Sequence, residues 1–138
     1  MKIAMYKGSK RFFNRAVSWW TGGIYSHCEI VFSDGMSASS SQMDGGVRIK
    51  YIEFDPLAWD FIDIGGSPEY EAKVRQWFRD HEEERYDYLG LVGFVVRPVK
   101  GKGHRKFCSE ACLEALGYDD PWRFEPNIIP ALFKNPVW

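Results

Sequence analysis

The run Phe107-Cys108-Ser109-Glu110-Ala111-Cys112 carries the chemistry most worth weighing in this chain. Residues 108–116 have the composition of a short helix, stopped by Gly117. A thiol in the first turn of such a helix faces unpaired backbone N–H groups and the positive end of the helix dipole. Both favour the thiolate, which is the nucleophilic form. Cys112 lies one turn further in, where that benefit fades, and is expected to pack against a sheet. The competing reading of either residue is a small buried hydrophobe, the usual fate of a free cysteine.

A nucleophilic thiol needs a base within hydrogen-bond reach, and the chain contains three histidines. His81 stands among Asp80, Glu82, Glu83 and Glu84, on what reads as a solvated helix end. His104 falls in Gly101-Lys102-Gly103-His104-Arg105-Lys106, which reads as a loop. His27 belongs to the strand-like segment Tyr25-Ser26-His27-Cys28-Glu29-Ile30-Val31-Phe32, where a rigid backbone can aim it. Zinc competes for the same atoms: His104, Cys108 and Cys112 recur every fourth residue, and His27-Cys28 could add ligands. Adjacent strand residues point to opposite faces, however, and no paired-Cys knuckle is present. A Cys108–His27 pair working without metal or cofactor is the reading carried forward.

The elements that must position this pair follow from turns and periodicity. Residues 1–5 read as a strand, ended by Lys7-Gly8-Ser9, and residues 11–20 show helical spacing of apolar groups. Residues 25–32 and 36–41 make a hairpin about Ser33-Asp34-Gly35; another strand starts at Val47 after Asp44-Gly45-Gly46, and residues 59–64 form one more. Ser67 as N-cap and Pro68 at the first helical position then start a helix that runs to about Glu84. A second helix is expected over residues 89–96, a loop over 98–106, and an irregular strap over 120–138, which holds four of the seven prolines. The expected class is α+β: a small antiparallel sheet or open barrel packed against helices, in a single domain over residues 1–138.

Composition narrows the classes of function. Apolar residues make up 45% of the chain, enough for a packed interior and against disorder. The formal net charge of −1 gives no general attraction to nucleic acid or anionic lipid. Three cysteines, odd and few, fit a thiol enzyme in a reducing compartment better than a disulfide scaffold. No apolar stretch approaches the roughly 20 residues that span a bilayer. The first ten residues are followed by no apolar run, so no signal peptide is expected and synthesis is cytoplasmic.

Three motifs together carry a resemblance. Tyr25-Ser26-His27 entering a strand, Asp34-Gly35-Met36-Ser37-Ala38-Ser39, and Asp44-Gly45-Gly46-Val47-Arg48-Ile49 look like the histidine hairpin of NlpC-type cell-wall cysteine peptidases. In those enzymes the cysteine helix precedes the histidine strand. Here the order is reversed, with Tyr86-Asp87-Tyr88-Leu89-Gly90-Leu91 ahead of Phe107-Cys108-Ser109-Glu110. The chain thus resembles the circularly permuted branch of that papain-like superfamily, which includes YiiX-like proteins and small phage-encoded members, over roughly residues 1–117.

The resemblance implies a papain-like fold, a Cys108 nucleophile and His27 as its base. It also implies a third polar residue that orients the imidazole, often His in unpermuted enzymes and Glu in permuted ones. The aligned position here is Ser37, with Ser39 on the same face. Ser can accept a bond but supplies no charge. Glu29, two residues from His27 and on the same strand face, is the alternative. The backbone N–H of Cys108 is the favoured oxyanion donor, with Tyr6 and Tyr25 as aromatic neighbours.

The expected function is amide hydrolysis through a Cys108 thioester, on a peptidoglycan stem peptide or similar small peptide. Two rivals stand beside it: an acyl-lipid or thioester hydrolase of the same fold, and a catalytically weak module binding a peptide or partner. Lacking a signal peptide, a wall enzyme of this kind would be released by lysis or delivered on another particle, as phage-encoded members would be.

Overall fold

The computed structural model describes residues 1–7, 23–82, 84–86 and 105–134. Those residues build an α+β fold in which an open antiparallel sheet packs against helices. Its strands are β1 (Lys2–Tyr6), β2 (His27–Val31), β3 (Met36–Ser41), β4 (Gly46–Tyr51) and β5 (Trp59–Asp63). Their spatial order is β5-β1-β2-β3-β4. Two short pieces extend the β4 edge: β6 (Arg85–Tyr86), antiparallel to β4, and β7 (Arg105–Lys106), parallel to β6. The helices are α1 (Pro68–Asp80), α2 (Cys108–Ala115) and α3 (Ile129–Lys134), with a 3-10 turn at Pro121–Arg123.

β1 lies between β5 and β2, and its Ile3, Ala4 and Met5 are fully buried, so it reads as an unbroken apolar run. The β2–β3 turn is local chemistry. The Asp34 carboxylate accepts the Met36 N–H at 3.0 Å, and Gly35 takes φ +83°, which favours glycine. β3 pairs with β4 along its whole length, from Met36 opposite Tyr51 to Ser41 opposite Gly46. Against β2 it pairs only through Val31–Ser37 and Ile30–Ala38. β3 is mostly serine yet largely buried, because α2 lies across β2 and β3 and small side chains let a helix approach closely.

Local signals also set the helices. The Ser67 hydroxyl accepts the Tyr70 N–H at 3.2 Å, Pro68 occupies the first turn, and Val74 and Phe78 make the buried stripe of α1. After α2, the Gly117 N–H bonds the Glu114 carbonyl at 2.9 Å and the Tyr118 N–H bonds the Leu113 carbonyl at 3.0 Å. That pair of bonds is a Schellman stop, with Gly117 at φ +84°. Ile3, Met5, Cys28, Ile30, Val74, Phe78, Cys112, Leu113 and Ile129 meet in one core between sheet and helices.

Four expectations need correction. β2 starts at His27 rather than at residue 25. α1 ends at Asp80, where the His81 N–H caps the last turn, rather than near Glu84. Arg105–Lys106 pairs as a strand and is not loop. The strap from residue 120 is partly helical, because Ile129 enters the core and draws α3 against it. The helices expected over residues 11–20 and 89–96, and His104, lie outside the described residues.

Candidate active site

Cys108 is the first residue of α2, and His27 is the first residue of β2. The two side chains lie close enough for each to shift the ionisation of the other. The N-cap Phe107 has no side-chain cap bond, so no capping side chain competes for the first-turn N–H groups of α2 around the sulfur. Cys108 is buried, and His27 keeps 19% of its side-chain surface exposed. Cys108 belongs to the buried core cluster, and His27 at its border is the partly exposed member of the pair.

The interrupted β2–β3 ladder explains how a helix reaches a strand here. A strand residue points its N–H and C=O to the same neighbour in an antiparallel sheet. Beyond Ile30, Cys28 finds no β3 backbone partner. Its C=O accepts the Ser39 hydroxyl at 2.7 Å, and the Cys108 sulfur lies beside it. The head of α2 thus takes the place of β3, bringing Cys108 to the edge of β2. The His27 ring and the Cys28 thiol both lie close enough to that sulfur to influence its ionisation. Among the described residues no group of three or more His, Cys, Asp or Glu is arranged to hold a metal ion.

Behind His27 stands a carboxylate. His27 Nε2 lies 2.7 Å from Glu29 Oε1, which leaves Nδ1 as the ring nitrogen free to face the thiol. Glu29 is 1% exposed and is gripped by Arg48, with Nη1 at 2.6 Å from Oε2 and Nη2 at 2.5 Å from Oε1. Arg48 Nε in turn meets Asp44 Oδ2 at 2.8 Å, and Asp44 also accepts Lys50 at 2.7 Å. Of the two candidate orienters it is Glu29 that bonds the ring. Ser37 pairs with Val31, at the far end of β2 from His27. Four residues of strand make that separation roughly 13 Å. Among the described residues, the buried Ser37 hydroxyl has no hydrogen-bond partner.

The electrostatics follow from these contacts. The Cys28 thiol holds the Cys108 thiol well below its ordinary range, outweighing burial with help from the His27 charge and hydrogen bond. Burial alone would lower the His27 pKa, but the charge and hydrogen bond of Cys108, reinforced by Glu29, push it up to about 10. Glu29 stays below the usual carboxylate range: burial opposes ionisation, and the bonds from Arg48 and His27 overcome it. Cys28 is pushed up by burial and by donating to Cys108. Both shifts favour a thiolate–imidazolium pair over a neutral thiol and imidazole.

The surroundings assign the remaining candidates. Cys112 is fully buried, 3.7 Å from the Cys28 sulfur, and packs on the sheet. His81 stacks on Trp77 at 4.0 Å and bonds the Trp77 carbonyl, serving its own helix end. The Tyr25 hydroxyl donates to Asp60 at 2.7 Å, which commits it away from an oxyanion. Trp59 stands edge-on to His27, 6.2 Å between centroids, and continues through Phe54 to Phe61 as an aromatic wall. Asn127 clamps both backbone groups of Tyr25, at 2.8 and 3.0 Å, and so fixes the start of β2. Sequence reasoning weighs Cys28 only as a metal ligand and gives no role to Arg48, Trp59 or Asn127; an Arg at a half-buried strand position is the signal that points to Arg48.

No protein-family model matches the chain, and no curated protein matches it significantly.

Proposed function

We propose that this chain is a cysteine hydrolase of permuted papain-like architecture, with Cys108 as nucleophile, His27 as proton carrier and Glu29 as orienter. The observation that carries the reading is the Cys108–His27 pair at a helix head, backed by the buried Glu29 carboxylate. The Cys108 thiolate attacks an amide carbonyl, and the tetrahedral oxyanion lies at the first-turn N–H groups of α2. Imidazolium gives its proton to the leaving amine, forming the Cys108 thioester. His27, now neutral, takes a proton from water as the water attacks that thioester; acid is released and the ion pair is restored. The resemblance of the hairpin and cysteine-helix motifs points to a peptidoglycan stem peptide or similar small peptide as substrate. The aromatic wall of Trp59, Phe54 and Phe61 beside His27 favours an acyl-bearing substrate as the second reading.

The test is turnover of stem peptides and acyl thioesters by the full chain and by Cys108→Ala, His27→Ala and Cys112→Ala variants. The first two abolish turnover in a folded protein, the third mainly lowers stability, and EDTA has no effect. Loss of activity in Cys112→Ala alone, or restoration by zinc after EDTA, would overturn the assignment.

A further inference from the structure

We infer that Arg48 is a positioning residue: pinned by the Asp44 turn, it keeps Glu29 ionised behind His27, so the β3–β4 hairpin is part of the catalytic apparatus. This inference rests on the Cys108–His27 reading above.

Glu29 has two ways to share a proton with His27. Glu29 carboxylate with imidazolium and Glu29 acid with neutral imidazole hold the same number of protons and the same net charge. A carboxylate that is 1% exposed loses its hydration and gains from neutralisation unless a cation compensates. Arg48 supplies that compensation as a two-pronged fork on both Glu29 oxygens, at 2.6 and 2.5 Å, which also fixes the plane of the carboxylate. Oε1 is thereby aimed at His27 Nε2, 2.7 Å away.

The fork is itself held. Asp44 takes Arg48 Nε at 2.8 Å and shares its carboxylate with Lys50 at 2.7 Å. Asp44 belongs to the turn Asp44-Gly45-Gly46. A side chain at Gly46 would lie 2.0 Å from the Glu84 carbonyl oxygen, so this turn seats closely on the chain before β6. Lys50, Asp44, Arg48, Glu29, His27 and Cys108 form a line of alternating charge from the exposed hairpin to the sulfur. Among the described residues, Glu29 is faced by His27 from its own strand and Arg48 from β4. His27 is faced by Glu29 and by Cys108 from α2.

The experiment is an NMR titration of the His27 ring in the full-length chain, for wild type, Arg48→Met, Arg48→Lys, Glu29→Gln and the Arg48→Met/Glu29→Gln double variant. Arg48→Met is expected to lower the His27 pKa from about 10 by one unit or more. Arg48→Lys, which keeps the charge but not the fork, recovers part of the loss. The double variant titrates like Glu29→Gln alone, because Arg48 acts through Glu29. The acid limb of iodoacetamide labelling of Cys108 shifts to higher pH in parallel, because less imidazolium charge faces the thiolate. An unchanged or raised His27 pKa in Arg48→Met, or an Arg48 effect that persists without Glu29, overturns the inference. If Arg48→Met does not fold, Arg48→Lys decides: a wild-type titration curve there also overturns it. None of these readouts uses a substrate, so failure of the hydrolase reading shows separately, as absent turnover in a wild type whose His27 titrates as expected.

Discussion

At the scale of single residues, the site is defined by where charge is allowed to be buried. Glu29 and Ser37 are both buried and both polar, yet among the described residues Glu29 has partners for its side-chain oxygens and Ser37 has none. Glu29→Gln keeps an acceptor for the ring but removes the charge that stabilises imidazolium. Turnover should fall at least a hundredfold, about 2.7 kcal/mol of barrier. Ser37→Ala should leave turnover within about twofold, far from the reacting atoms, and should not destabilise the fold, since a buried hydroxyl without a partner contributes no net hydrogen bond. Steady-state kinetics on both variants decide between them; equal losses would show that the ring is held some other way.

At the scale of elements, what was legible in the sequence was local. The Asp34-Gly35 turn, the Ser67-Pro68 helix start and the Gly117 stop each act within a few residues, and each is where the sequence puts it. Cys108 at a helix head and His27 on a strand followed from the same signals. Hairpin alignment ranks Ser37 ahead of Glu29 because it ignores register, and register puts Ser37 opposite Val31. The gap in the β2–β3 ladder, the entry of α2 into it and the Asn127 clamp depend on contacts between distant segments, which no local pattern encodes. That clamp gives a test of its own. A methyl group at Gly23 would lie 2.0 Å from Asn127 Cγ, so Gly23→Ala should displace Asn127 and release both backbone groups of Tyr25. The loss should be on the order of 1–3 kcal/mol in urea unfolding. Asn127→Ala should cost a similar amount, and the two together little more than either. Full additivity would show that Gly23 and Asn127 act independently.

At the scale of the whole molecule, the opposed shifts of Cys108 and His27 tie folding stability to pH. His27 is raised from 6.5 to about 10, so its contribution is complete below pH 6.5 and is lost as pH rises through about 10. Cys108 is lowered from 9.0, so its contribution is complete above pH 9 and is lost as pH falls through the depressed value. Between pH 6.5 and 9 the folded pair holds one proton, on His27, and the unfolded pair also holds one, on Cys108. Proton counts match there, so the pair contributes no slope across that window. Above pH 9 the unfolded chain has released its thiol proton while the folded protein keeps the imidazolium, and stability falls as pH rises towards 10. Below pH 6.5 the unfolded chain takes up a second proton first, and stability falls as pH drops. Asp44, lowered from 3.8 to about 2 by Lys50 and Arg48 against the opposing effect of burial, adds a further decline at the acid end. Urea midpoints of the wild type from pH 4 to 11 should therefore trace a plateau with two shoulders. Cys108→Ala should weaken the alkaline shoulder, because the anion that raises His27 most is gone. A wild-type profile that matches Cys108→Ala between pH 8 and 11 would mean that Cys108 and His27 do not share charge in the folded protein.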